Sequence, residues 1–302
     1  MKPQFQIAIA IAIGLVAVVG TAQNLPDRPI SNPVYTDIAQ PKTEINVIYA
    51  HHRLPDMIRL FNGTELPLDG DANLIAVQLE YAFNERLSLT AHKDGWLDFN
   101  PDSTLSQEEG FGDIALGLKY CFYNNESTAI AVRGSFETTT GSSNILQGNG
   151  DGNFSPALIV TCQTEVATFN TVLGAIIPFD DDAESTTSYL SLGAGFEVAP
   201  KLTLHGEFNW FHALREGGGE ANYSSSQGGT LIPGAVGFEG GDFFNLGAEN
   251  ADQNRDLATV ALGARFAVSD QLSLGVGYEI PLTGEENSLF DDRIYVNAQI
   301  RF

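Results

Sequence analysis

Cysteine is nearly missing from this chain: Cys121 and Cys162 are the only two among 302 residues. Two thiols cannot build the disulfide framework of a small secreted domain, and neither lies in a zinc-type spacing. They fall on predicted strands separated by a third, so they are expected as two buried thiols. Basic residues are also few, with 15 Lys and Arg against 38 Asp and Glu, and the resulting charge of -23 repels a phosphate backbone and excludes nucleic acid as a partner. No phosphate-binding glycine loop or dinucleotide fingerprint occurs. The Asn149-x-Asp151-x-Asn153 stretch lacks a calcium loop's final carboxylate, since Val160 stands at the twelfth position. No cofactor and no metal is therefore expected.

Long apolar runs are missing as well. Beyond residue 22 no stretch approaches eighteen apolar residues, so no helix is expected to cross a membrane. The one apolar run, Ile7 to Val19, is too short to span. With Lys2 ahead of it and Gly20, Thr21 and Ala22 behind, residues 1–22 have the form of a secretory signal peptide. Gln23 stands where a lipid-anchored start would need cysteine.

What the chain does contain is glycine, 31 residues of it, with 10% aromatics and a mean hydropathy of -0.04. That near-zero mean hides two populations, one pointing each way from an alternating strand. In the last ten residues, Ile294, Val296, Ala298, Ile300 and Phe302 share one side, and Arg293, Tyr295, Asn297, Gln299 and Arg301 share the other. This pattern suits a wall between lipid and a wet lumen. Comparable segments are expected at 43–53, 73–83, 86–97, 111–123, 127–139, 154–164, 166–179, 187–198, 201–213, 255–268, 271–282 and 292–302. Each is near the ten residues of a tilted membrane strand.

The connections alternate in length. Short ones fall at Asn84-Glu85, Asn124 to Glu126, Glu165, Ala199-Pro200 and Ser269-Asp270, and long ones at about 54–72, 98–110, 140–153, 180–186, 214–254 and 283–291. All long loops thus emerge on one side, as in an outer-membrane barrel, whereas a soluble sandwich has no reason to sort them. Tyr81, Phe83, Tyr120, Phe122, Phe196, Phe266 and Phe302 are expected at the short-turn rim. Phe111, Phe136, Phe179, Tyr189 and Trp210 are expected at the long-loop rim, giving the two aromatic belts of a membrane barrel. The predicted fold is all-β, an antiparallel up-and-down transmembrane barrel of about twelve strands over 42–302. An extra hairpin near Leu231 to Phe238 would make it fourteen. Residues 23–41, with Pro26, Pro29, Pro33 and Pro41, read as a periplasmic lead-in able to fold into the barrel mouth.

Residues Gly110 to Tyr120, GFGDIALGLKY, resemble the "G-x-G-D-x-x-L-G-x-K-Y" strand of the outer-membrane transporters grouped as the meta-pathway phenol-degradation family. Gly275 to Thr283, GVGYEIPLT, is similar to that family's later strand ending in a "P-L" step. The closing strand departs from the usual barrel-assembly signal at Asn297, where glycine is common. The resemblance implies passage of small, often apolar or aromatic compounds across the outer membrane of a Gram-negative-type bacterium.

The inward positions carry both signs. Glu80, Asp113, Lys119, Arg133, Glu137, Glu207, Arg265, Glu279, Arg293 and Arg301 are the candidates for lumen selectivity, with His92, Asp94 and Glu197 also pointing inward. Charges facing water remain hydrated, so such a lining serves either a pore or a structural network across a narrow barrel. The loop from Leu214 to Arg255, rich in glycine and serine and carrying Phe243-Phe244, is long enough to fold into the mouth. The acidic runs Asp102, Glu108 and Glu109; Asp180 to Asp182 with Glu184; and Glu285, Glu286, Asp291 and Asp292 read as solvated loops.

The function expected is passive uptake of small, hydrophobic or aromatic solutes. A non-conducting surface barrel with acidic loops for cation binding or adhesion is the second reading. No enzyme is expected: among the five histidines His212, beside Trp210, is the best single candidate for a barrel lipid hydrolase, and none stands in the His-x-Ser arrangement of such barrels. The expected partners are small solutes, outer-membrane lipid and lipopolysaccharide, and the barrel assembly machinery acting through the Phe302 strand.

Overall fold

Alternation builds the wall. The computed structural model describes residues 26–302, and the predicted signal peptide lies outside the described residues. In order, the strands are β1 (Glu44–Arg53), β2 (Met57–Arg59), β3 (Glu65–Pro67), β4 (Gly70–Ala82), β5 (Leu87–Lys93), β6 (Trp96–Pro101), β7 (Glu108–Phe111) and β8 (Ile114–Asn124). Then follow β9 (Thr128–Thr138), β10 (Asn153–Gln163), β11 (Ala167–Pro178), β12 (Thr186–Ala199), β13 (Leu202–Arg215), β14 (Asp256–Ala267), β15 (Leu272–Pro281) and β16 (Asp292–Arg301). Each neighbour is antiparallel, and β1 pairs with both β16 and β4, which closes the sheet. Closure removes the open edges that would otherwise need covering.

Twelve strands close the barrel, and β6 and β7 extend two of them toward the long-loop rim. β4 pairs with β6 over Gly70 to Ile75 and with β5 over Leu79 to Ala82, so β5 and β6 follow one another along a single barrel strand. β8 and β7 face them in the same way. The region expected as the loop 98–110 is therefore mostly hairpin. The first long loop contains the small β2–β3 hairpin. Leu231–Ala235 forms a short helix, α1, where a hairpin and a fourteen-stranded barrel had been the other expectation; Gly234 and the Pro233 ring deny it a ladder.

The faces follow the sequence. In β8, Ile114, Leu116, Leu118, Tyr120 and Phe122 are exposed on the lipid side while Ala115, Gly117, Lys119 and Cys121 are buried inward. In β16, Ile294 and Val296 point out and Arg293, Tyr295, Asn297 and Gln299 point in. Both aromatic belts form, with Phe83, Phe122 and Phe266 exposed at one rim and Phe111, Phe136 and Phe179 at the other. Tyr189 does not join them. It is 1% exposed and lies inside, against Tyr35 and Phe211, because its register in β12 is that of an inward residue. Both cysteines are free thiols, with β9 between their strands, but only Cys121 on β8 is buried as expected; Cys162 on β10 is half-buried, because its register sets it on the outer face.

The interior is packed with the chain's own polypeptide. Residues 26–43, the proline-containing lead-in, run inside the barrel and are buried along almost their whole length. Four prolines fix φ along a segment that has no ladder of its own and that turns once, at Asn32 to Thr36. Val34, Tyr35 and Ala39 pack on inward residues Ala131, Ile159, Val172 and Phe211. From the long-loop side, Tyr223, Val236, Phe238, Phe244 and Leu246 of the 216–255 loop pack over Leu54, Ile58, Leu68 and Phe99.

Candidate functional site

Three features define the interior: an anchored N-terminal segment, a latched mouth loop and an interruption of the wall.

The anchors come from inward strand positions. Glu207 on β13 accepts from the backbone N–H of Ile30 (2.6 Å) and Ser31 (2.7 Å) and from Ser31 Oγ (2.5 Å). Lys119 on β8 donates to Asp37 Oδ2 (2.9 Å), Ile38 O (2.9 Å) and Glu80 Oε2 (3.0 Å). Gln78 reaches Pro33 O at 2.7 Å and Arg133 reaches Val34 O at 3.3 Å. At the short-turn rim Arg301 holds Glu44 and the Pro26 carbonyl, and Arg265 donates to Arg28 O. Of the ten selectivity candidates, Glu80, Lys119, Arg133, Glu207, Arg265 and Arg301 thus converge on this segment or its anchors. Burial alone would raise the Asp37 carboxyl, but Lys119, Lys42, Arg28 and Arg133 surround it and hold it well below the usual carboxylate range.

The remaining candidates lie higher. Arg293 donates to Asp242 (2.6 and 3.1 Å), Tyr295 and His52, and its guanidinium sits 4.7 Å from the Phe290 ring centroid. This ties the 216–255 loop to β16. Glu279 accepts from Asn209, Thr259 and Tyr295, and Glu137 pairs with Lys93 at 2.5 Å. Asp113 accepts from Gly141 N (2.7 Å) and Gly148 N (3.0 Å), which pins the β9–β10 loop. Glu197 keeps the inward register, opposite Thr203, but is exposed at the short-turn rim just before the bulge in β12.

Glu184 also departs from expectation. It does not join the solvated acidic loop; it is 3% exposed, packs under Gly150, and one of its carboxylate oxygens has no hydrogen-bond partner. Burial, then the charges of Glu137, Asp113 and Glu239, push its carboxyl up to about 8 against the single opposing Lys93. The sign is fixed by this upward shift: the folded mouth keeps a proton that the unfolded chain loses near pH 4.5, so stability falls as pH rises from about 4.5 to about 8 and then levels off. Glu184→Gln is expected to flatten that fall, worth on the order of a few kcal/mol, in thermal unfolding scans of the detergent-solubilised protein from pH 5 to pH 9. A slope unchanged by the substitution would place the titrating group elsewhere.

The wall is interrupted at Asp94-Gly95, between β5 and β6, and at Gly112-Asp113, between β7 and β8. Residues Ala76 to Gln78 of β4 lose their ladder partners there. Side chains substitute: Asp94 accepts from Val77 N at 3.1 Å, and Gln78 donates to His92 O at 2.7 Å. Gly95 has φ +138°, and a Cβ would lie 2.9 Å from Ile75 O, so only glycine fits. Behind the gap is a cavity of about 20 Å³, lined by Val34, Ile48, Leu74, Leu97 and Phe243, with Gln78, His92 and Asp94 at its polar side. A second, of about 10 Å³, lies between Asp37, Arg28, Arg133 and Glu80. Gln78 and His92 line both.

At the outer rim Trp210 Nε1 and His212 Nδ1 both meet Asp256 Oδ1 at 2.8 Å, on the lipid-facing side. Ser188, opposite His212 in the register, donates to the His212 backbone carbonyl at 3.4 Å. Sequence reasoning missed Arg28, Asp37, Lys42, Glu44, Glu239 and Asp242. All but Glu44 lie in segments without periodicity, and Glu44 opens β1 just beyond one, so no alternation marked their side chains as inward.

No functionally curated protein matches the chain. Its fold is similar to that of the COG4313 outer membrane channel from Pseudomonas putida F1, at 15% identity and a TM-score of 0.58, over 95% of this chain and 100% of that one. It is also similar to the NanC porin, at 5% identity and a TM-score of 0.53, over 85% of this chain and 100% of that one. Residues 86–290, more than half of the chain, match the family described as "Putative MetA-pathway of phenol degradation". The chain belongs to that family, as one of its outer-membrane β-barrels.

Proposed function

We propose that the protein is a gated channel for passive uptake of small solutes with apolar or aromatic bodies across the outer membrane. The observation that carries this reading is the apolar cavity behind the wall interruption, bounded by the N-terminal segment on one side and Phe243 of the mouth loop on the other. At about 20 Å³ it has room for a water molecule and for no solute, so in this reading the conformation described is the closed one. The segment is held by wall side chains and not by a strand ladder, through Glu207, Gln78 and Lys119, and the mouth loop is held by Arg293 and Glu239 together with a few backbone bonds such as Phe61 N to Ala235 O. With the segment displaced, Glu80, Asp113, Lys119, Arg133, Glu137, Glu207, Arg265, Glu279, Arg293 and Arg301 would line the path and set its selectivity.

The test is reconstitution of the purified full chain in planar bilayers and liposomes. Small, intermittent conductance and entry of benzyl alcohol faster than of a sugar of similar size are expected. Protein that neither conducts nor admits either solute, as wild type and as Glu207→Ala, overturns the channel in favour of a non-conducting surface barrel.

A further inference from the structure

The cluster around Asp37 has the composition of a ligand site whose ligand is part of the chain. Asp37 lies on the N-terminal segment, while Lys119 and Arg133 lie on the wall, in β8 and β9. The Lys119 ammonium meets Asp37 Oδ2 at 2.9 Å, and Arg133 Nη1 lies 3.9 Å from the same oxygen. Both wall cations are buried, with side chains 0% and 1% exposed. Arg133 Nε and His92 Nδ1 are buried there without hydrogen-bond partners, so the wall offers more polar capacity than the segment uses. Such orphaned atoms are costly unless something occupies them in another state.

We propose that Lys119, Arg133 and His92 form a carboxylate-binding site in the lumen wall, which Asp37 occupies in the closed channel, and that the solutes it selects are small apolar acids bearing one carboxylate. The inference rests on the channel reading for its functional meaning. Two observations give the ligand class. Withdrawal of the segment removes Asp37 and Arg28, while Glu44 keeps Arg301 and Glu80 faces both Lys119 and Lys42, which leaves this part of the wall net positive and suited to a carboxylate. The apolar cavity adjoins this charged one through Gln78 and His92, so an aromatic or branched body would lie against Ile48, Leu74 and Leu97 while its carboxylate meets Arg133 and takes the place of Asp37 on Lys119. A charge-assisted pair in so dry a setting discriminates strongly against the neutral alcohol or amide of the same shape.

The experiment uses full-length Asp37→Ala in detergent and in bilayers, with Asp37→Asn as the second variant should the alanine form fold poorly. Acetate is expected to restore most of the melting temperature lost by Asp37→Ala, whereas acetamide and equal chloride restore none. Asp37→Ala/Lys119→Gln is expected to show no response to acetate. In bilayers, benzoate should reduce the current through Asp37→Ala at concentrations at least tenfold below those of benzyl alcohol, and Lys119→Gln should abolish that difference. Equal effects of acetate and acetamide, or of benzoate and benzyl alcohol, overturn the site and leave the channel standing. Absence of any current overturns the channel, and the acetate response then decides the site alone.

Discussion

Glu207→Ala should convert the closed barrel into an open one. The substitution deletes the acceptor of two adjacent backbone N–H groups and of the Ser31 hydroxyl, all buried. The neighbouring Asn209 does not replace it: its Nδ2 donates to Ser31 Oγ, and its Oδ1 accepts from Asn32 instead. Three lost hydrogen bonds to a carboxylate cost about 3 kcal/mol or more, which raises the population with the segment displaced on the order of a hundredfold. Single-channel recordings should show long open dwell times in place of brief ones. Trypsin should cut after Lys42, a site buried in the wild type. Glu207→Gln keeps one acceptor oxygen and should fall between the two. A Glu207→Ala barrel that stays silent in bilayers and resistant to trypsin would show that the segment is held by its apolar contacts to Val172, Ile159 and Phe211 instead.

The second large effect belongs to Arg293→Met. Among the described residues Arg293 is the cation paired with Asp242, and the pair ties the mouth loop to the wall by two hydrogen bonds. Methionine keeps much of the stem's volume against Phe243 and Phe290 while leaving Asp242 and Glu279 without their cation. Stranding a buried carboxylate in this way costs roughly 3–5 kcal/mol. The melting temperature should fall by several degrees, and the 216–255 loop should become sensitive to proteases added outside intact cells. Arg293→Met/Asp242→Leu should recover most of the loss, because removing both partners leaves no charge unpaired. A double variant as unstable as the single one would mean that Arg293 acts through Tyr295 and His52 and not through the loop.

Much of the wall was legible in the sequence, and the physical reason is periodicity. Ile114 to Phe122 and Leu272 to Ile280 alternate so strictly that only one face can meet lipid, and one register slip would invert it. Turn formers such as Asn84 and Asn125 marked the short rim because their side chains satisfy local N–H groups, as Asn84 does for Arg86 and Leu87. The inward charges were legible too, since a charge on the lipid side is costly. Their partners were not. Asp37, Asp242 and Glu239 lie in irregular chain, where composition reads as solvated loop, and only the folded barrel shows that Lys119, Arg293 and Ser185 await them. Tyr189 and Glu184 illustrate the same limit: a tyrosine near a rim reads as belt and a glutamate after three aspartates reads as surface, yet Tyr189 has an inward register in β12 and Glu184 is buried by the loops around it. The wall interruption was hidden because Asp94-Gly95 and Gly112-Asp113 resemble ordinary turn signals within otherwise regular strands.

The seam between the first and last strands bears on how such a molecule is made. Glu44 meets Arg301 across that seam although 257 positions separate them in the chain. Arg301 also grips Pro26, so the same guanidinium that joins the termini seals the packed interior. The segment that carries Arg28 and Asp37 can dock after that seam has closed, since the anchors it uses, Lys119, Glu207 and Arg265, all belong to the wall. Loop-closure entropy of that size is repaid only at the final step, which makes the maturation slow and leaves the half-assembled chain dependent on protection until both ends have arrived.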